Sequence, residues 1–213
     1  MAKIKDRIIE EAKRMFSENG YDQVSLRGIA QAAGTTIGNL TYHFPQKEDL
    51  IAEIQKDMQA FIMRELGAVM DNGGYRLEGL VHLLVMSQKS QESASFYFRN
   101  MIELCNDFGR INKNMTAFRK QLYDYLSTCF VTLQTEGLMR PDIKPRQYET
   151  LAYILVMMAT FWTQNHSPYY DPELPRIGLV QAAGDVIYPY LTEKGLNDFE
   201  KVQLKYMKFD FPS

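Results

Sequence analysis

Between Ser25 and Leu50 the chain sets a small residue, a glycine and an apolar residue at the spacing that two short crossing helices require. Ala30 supplies the small side chain at the crossing. Gly34, four residues on, can take the positive φ of a tight turn. Leu40, six further, returns an apolar side chain to the same pocket, with Ile29 and Ile37 beside it. The spacing predicts a helix-turn-helix followed by the start of a third helix, and the second helix of such a pair can enter a major groove. A helical hairpin that only packs satisfies the same spacing, so other features must separate the two.

Charge placement is one of them. From Gln23 to Lys47 there is no Asp or Glu, while Arg27 and Lys47 stand near the two ends. The other polar side chains there are short or planar: Ser25, Gln31, Thr35, Thr36, Asn39, Thr41, Tyr42 and His43. They can donate to phosphate oxygens or touch base edges without repelling a duplex. The chain as a whole is no polycation, with a formal net charge of −2. Residues 1–50 hold Lys3, Lys5, Arg7, Lys13, Arg14, Arg27 and Lys47 against Asp6, Glu10, Glu11, Glu18, Asp22, Glu48 and Asp49, and net zero. The acids lie outside the window that would face nucleic acid, so modest affinity with a clear salt dependence is expected.

The segment from about Asp6 to Leu50 resembles the DNA-binding domain of the TetR (tetracycline-repressor-like) family of bacterial regulators. The residues that carry the resemblance are Ala12, Phe16, Gly20, Ser25, Ile29, Ala30, Ala33 and Gly34, then Gly38, Leu40, Tyr42, His43, Phe44, Lys47, Glu48, Asp49 and Leu50. It implies DNA contacts position by position. Thr35, Thr36 and Asn39 would meet base edges, and Gly38 would let the helix approach closely. Ser25, Tyr42, His43 and Lys47 match positions that hold phosphates, and Arg27 joins them as a DNA-contact candidate from the charge pattern of the window. Two residues depart from the family's pattern. Thr41 stands where an aromatic is common, and Gln46 replaces the usual Ser before Lys47, which puts the start of the following helix in doubt.

Apolar residues recur at helical spacing along the rest of the chain, and no β-alternation or repeat interrupts them. Helices are expected at about 3–19, from the Ser25 cap to Gly34, and at about 36–44, 47–70, 76–89, 93–107, 114–136, 146–164, 177–190 and 198–207, with Asp71-Asn72-Gly73-Gly74 as the first strong break. No proline occurs between Pro45 and Pro141, which suits long helices. Pro189 should kink or stop the helix it falls in. The fold class is therefore all-α: a three-helix N-terminal domain at 1–50, a connecting helix at about 47–70, and a helical domain at 51–213.

Residues Leu151–Trp162 are apolar on every side, so this helix must be buried all round. One face can meet its own core and the other a second copy of the chain, and Ala182, Ala183 and Gly184 would let a neighbouring backbone come close. By resemblance, these two helices form an isologous homodimer interface. The family also places an effector site among the middle helices, where aromatic and Met side chains crowd. Phe96, Arg99, Asn100, Glu103, Tyr125, Met157, Phe161 and His166 are the candidates for a small hydrophobic or amphipathic ligand. His82 reads as a structural histidine.

Other chemistries find little support. No Gly-rich phosphate loop, nucleophile elbow or metal-spaced cluster occurs, so no catalytic residue, metal or cofactor is expected. Cys105 and Cys129 sit in apolar helical pattern and read as reduced core thiols. The apolar run 151–162 is far short of the roughly 20 residues of a membrane span, and Lys3, Lys5 and Arg7 lead into an amphipathic helix, not a signal segment. The expectation is a cytoplasmic, ligand-responsive regulator, most often a repressor in this family, whose partners are a double-stranded DNA operator, a small-molecule effector and a second copy of itself. The alternative is an all-helical adaptor that uses the hairpin for protein contacts.

Overall fold

A computed structural model describes residues 4–71, 77–142, 144–162 and 177–207. The helices are α1 (Ile4–Asn19), α2 (Leu26–Ala32), α3 (Ile37–His43), α4 (Lys47–Asp71), α5 (Leu77–Ser93), α6 (Ser95–Arg99), α7 (Met101–Asp107), α8 (Gly109–Thr135), α9 (Gln147–Phe161), α10 (Leu179–Ile187) and α11 (Glu193–Met207). Among the described residues the only extended pairing is one antiparallel bridge between Met139 and Leu191. The chain divides into two compact units, residues 1–60 with 91–116 and residues 61–90 with 117–213. α4 thus contributes to both.

In the first unit, α1 buries Ile8, Ala12 and Phe16, and α2 and α3 close over them with Ile29, Ala30 and Leu40. The turn between α2 and α3 is fixed by its backbone. Gly34 has φ +64°, its N–H donates to the Gln31 carbonyl at 3.1 Å, and the Thr35 N–H reaches back to the Ala30 carbonyl at 2.9 Å. These are the paired bonds of a Schellman cap, which needs a left-handed residue where a Cβ would be penalised. Ile37 departs from expectation: it is 41% exposed and does not join Leu40 in the pocket. α3 stops at His43 because Phe44, which precedes Pro45, takes an extended conformation and turns its ring inward.

The start of α4 is well capped despite Gln46. Asp49 reaches back so that its Oδ2 accepts from the Gln46 N–H at 2.8 Å, the reciprocal half of a capping box. Arg110 of α8 holds the other carboxylate oxygen at 2.6 Å. Arg110, and then the Gln46 N–H, keep the Asp49 carboxyl below the usual carboxylate range.

α6 and α7 pack into the same unit. The Phe96 ring lies 5.0 Å from that of Phe16. The expected single helix over 93–107 is broken at Asn100, whose side-chain amide donates to the Phe96 carbonyl at 2.7 Å and whose backbone leaves the helical region. Asn competes in this way with the helix ladder. α8 begins at Gly109, five residues before its apolar stripe, because the polar first turn conceals the buried Ile111. A fully buried Gln55 on α4 joins these elements. Its Nε2 donates to the Tyr97 hydroxyl at 2.8 Å and to the Ile111 carbonyl at 2.9 Å, and its Oε1 accepts from Asn114 at 3.0 Å. The satisfied amide is what makes its burial tolerable.

In the second unit, α8 buries Phe118, Leu122, Leu126, Cys129 and Leu133 on one stripe. No disulfide joins the two cysteines, and burial pushes the Cys129 thiol up to about 12. α9 buries Leu151, Ala152, Leu155, Val156 and Ala159 but leaves Tyr153 59% and Ile154 40% exposed, so the chain alone covers one side of this apolar helix. α10 ends in a 3-10 turn at Tyr188–Tyr190, which carries Pro189. Gly184 serves the chain's own packing, since a Cβ there would sit 3.3 Å from the Phe199 ring of α11, while Ala183 is buried and Ala182 half-buried. α11 is longer than expected and opens where Gly195 lies against the Leu138 carbonyl, a contact with no room for a Cβ. It docks on α5 through Lys205 with Glu78 and the Tyr206 hydroxyl with His82 Nδ1 at 3.0 Å. Burial lowers the His82 pKa, in keeping with a structural role. The breaks at residues 72–74 and the loop prolines 168, 172 and 175 lie outside the described residues.

Two outcomes follow from these contacts. Gln55→Leu keeps the volume but leaves the buried Tyr97 hydroxyl and Ile111 carbonyl, and the half-buried Asn114 amide, each short of a bond, so urea unfolding should show a loss of about 2–3 kcal/mol. Arg110→Ala should raise the Asp49 pKa toward its ordinary value when the carboxyl is followed by NMR. A carboxyl depressed in the folded state contributes stability at neutral pH that is lost as pH falls through its folded pKa, so the variant should lose that portion of its acid sensitivity.

Candidate nucleic-acid interface

α2, the turn and α3 present the carboxylate-free window. Each implied contact residue has a defined place in it. Ser25 is exposed and caps α2, its Oγ accepting from the Gly28 N–H at 3.1 Å. Arg27 is exposed in the first turn of α2. Thr36 caps α3, accepting from the Asn39 N–H at 3.2 Å, and its hydroxyl proton remains available to donate. Thr35 and Asn39 are joined, with the Asn39 Nδ2 donating to Thr35 Oγ1 at 2.9 Å. Gly38 is exposed, and a Cβ there would meet nothing within 4 Å. Tyr42 is 83% exposed, and its ring stands edge-on to His43 at 5.3 Å. Thr41 turns its hydroxyl back onto the Ile37 and Gly38 carbonyls at 3.0 and 3.2 Å. It offers no reach of the kind an aromatic would.

Lys47 differs from the rest. Its ammonium donates to the Tyr21 carbonyl at 2.7 Å and to the Asp22 carbonyl at 3.2 Å, and burial lowers its pKa. It ties the start of α4 to the turn after α1, a positioning task that spacing alone does not reveal. The same turn is held again, because the Tyr21 hydroxyl donates to Asp107 of α7 at 3.2 Å. Arg99 of α6 donates to the Ser17 carbonyl at 3.1 Å. Sequence reasoning missed Tyr21, Asp107, Arg110 and Gln55 as supports of the helix-turn-helix. Their partners lie 26 to 86 positions away, and no local pattern signals such pairs.

The ligand candidates fall into two groups. Phe96, Arg99, Asn100 and Glu103 belong to the first unit, where Phe96 is fully buried core, Arg99 and Asn100 bond to backbone carbonyls, and Glu103 is exposed. Tyr125, Met157 and Phe161 belong to the second, with Tyr125 buried against Gly79 and the other two half-buried. His166 lies outside the described residues. Among the described residues no group of three or more His, Cys, Asp or Glu side chains could hold a metal ion, and no helix is long and apolar enough to cross a membrane.

Comparison with known proteins agrees with this arrangement. Residues 8–54 match the family described as bacterial regulatory proteins, tetR family, and residues 53–199 match the TetR family described as bacterial transcriptional repressor. The HTH-type transcriptional repressor KstR2 of Mycolicibacterium smegmatis is 29% identical over 88 residues, 41% of this chain and 43% of that protein. KstR2 of Mycobacterium tuberculosis is 28% identical over 142 residues, covering 64% of this chain and 69% of that one. A TetR-family regulator from Marinobacter aquaeolei VT8 superposes with a TM-score of 0.78 at 20% identity, over 99% of this chain and 100% of its own. AibR, solved in complex with isovaleryl coenzyme A and operator DNA, gives 0.62 at 20% identity over 87% and 97%. With its helix-turn-helix and the greater part of its remaining length both matched, the chain belongs to the TetR family of bacterial transcriptional regulators.

Proposed function

We propose that this regulator is a repressor that binds its operator as a two-fold homodimer, with α3 of each protomer in the major groove. The observation that supports it most directly is the carboxylate-free surface made by the exposed Ser25, Arg27, Thr36, Gly38, Asn39 and Tyr42, with Thr35 and His43 half-buried beside them. Arg27 and Tyr42 meet phosphates, Thr35, Thr36 and Asn39 face base edges, and Lys47 acts by holding the turn behind them. The reading head is residues 1–50, α4 is its connection, and residues 51–213 carry effector binding and dimerisation. Two recognition helices about 34–36 Å apart match one turn of B-DNA, which a dimer supplies and a monomer does not.

The exposed Tyr153 and Ile154 of α9 belong to the dimer contact, which removes an apolar stripe from water. A small hydrophobic or amphipathic effector binds in the second domain beside Tyr125, Met157 and Phe161. AibR, with its acyl coenzyme A and operator, is a structural neighbour in which both kinds of ligand are bound. The effector prefers a conformation with different spacing of the two reading heads and lowers operator affinity by that preference. The role is regulatory, not enzymatic, and its DNA target places it in the cytoplasm.

Selection from random duplex DNA tests this reading. It should enrich a palindrome, and Arg27→Ala should weaken binding to that site while reducing the salt slope by about 1, the loss of one phosphate contact. Enrichment of no sequence at low salt would favour the adaptor role instead. Ile154→Glu should give monomers in light scattering and bind the full palindrome at least tenfold more weakly, roughly the avidity lost when one reading head acts alone.

A further inference from the structure

The face of α3 has a feature that its own packing does not explain. At roughly 100° per residue, Gly38 and Tyr42 lie at the centre of the outward surface, Ile37 on one shoulder and Asn39 on the other. Glycine costs up to about 1 kcal/mol against alanine in a helix interior, and Gly38 in the first turn of α3 still gives up part of that. A Cβ at Gly38 would meet nothing within 4 Å in this chain, so the chain itself gains no room from its absence. The room is useful only to something arriving from outside. Ile37, 41% exposed and β-branched, likewise contributes little to the core and little to helix propensity.

On the other shoulder the Asn39 amide is already oriented. Its bond to Thr35 Oγ1 at 2.9 Å uses one hydrogen-bonding position and fixes the plane of the amide. One N–H and the carbonyl oxygen stay available, a donor and an acceptor side by side. That pair matches N7 and the N6 amino group of adenine in the major groove, as an apolar side chain matches the C5-methyl of thymine.

We propose that Asn39, positioned by Thr35, reads an adenine and that Ile37 touches a thymine methyl, on either side of the gap left by Gly38, so that each operator half-site has A·T pairs beneath α3. This rests on the major-groove reading above and adds its base specificity. Gln and Asn pair with adenine but not with the acceptor-only edge that guanine presents, so a G·C pair beneath Asn39 is disfavoured.

The test uses the full-length protein and the palindrome selected from random DNA. Thymine is replaced by deoxyuridine, and adenine by 7-deaza-adenine, one position at a time, and binding is followed by fluorescence anisotropy. Loss of the methyl should weaken wild-type binding about threefold to fourfold at one position per half-site, the effect of one buried methyl group, and should leave Ile37→Ala binding unchanged. Loss of N7 should weaken wild type about tenfold and leave Asn39→Ala unchanged. Thr35→Val should relax the adenine preference without altering the salt slope, because it removes the bond that orients the Asn39 amide. A selected half-site with G·C at both positions overturns the inference, as do penalties of equal size in wild type and variants, while the operator reading stands. Failure to select any site overturns both.

Discussion

The close crossing of α2 and α3 governs the rest of the DNA-reading unit. It exists because Ala30 is small, Leu40 fills the space beneath it, and Gly34 tolerates the left-handed turn that brings them together. The helix that results is seven residues long and could not persist alone in water. Tertiary packing holds it, and every residue on its outward face is thereby released from structural duty. That release leaves Gly38, Asn39 and Tyr42 exposed.

Electrostatics follow the same division. The segment of residues 1–50 has no net charge, yet its acids are placed where they strengthen the fold. Glu10 pairs with Lys13, Glu11 and Glu18 hold Arg14, and Asp49 caps α4 under Arg110. Exposed pairs of this kind contribute little stability each. Their larger consequence is a surface from Gln23 to Lys47 free of negative side chains, which a phosphate backbone can approach. Arg110 and Asp107, together with Gln55, also bind α4, α7 and α8 into the unit that carries the reading helix.

Much of this was legible in the chain. Gly34, Ala30 and Leu40 announce the helix pair because their constraints are local, and the stripe from Phe118 to Leu133 announces α8 through its period. The errors have physical causes. Ile37 looks like core because apolar residues usually are, but its angle on α3 leaves it on the shoulder. Asn100 looked like one polar residue in a continuous helix, while its amide breaks the ladder. Gly184 read as room for a partner and is filled by Phe199 from a helix whose start the sequence placed too late. Lys47 illustrates the general limit. A lysine near a nucleic-acid surface reads as a phosphate ligand, and only the fold shows its ammonium on two carbonyls.

The central claim is that the exposed face from Ser25 to Lys47 lies against DNA. Hydrogen–deuterium exchange of the full-length protein with and without its selected duplex tests it most directly. The account predicts added protection concentrated in residues 25–47, strongest across α3 and the turn before it. Protection confined to other helices, with α2 and α3 exchanging as they do in the free protein, would contradict it.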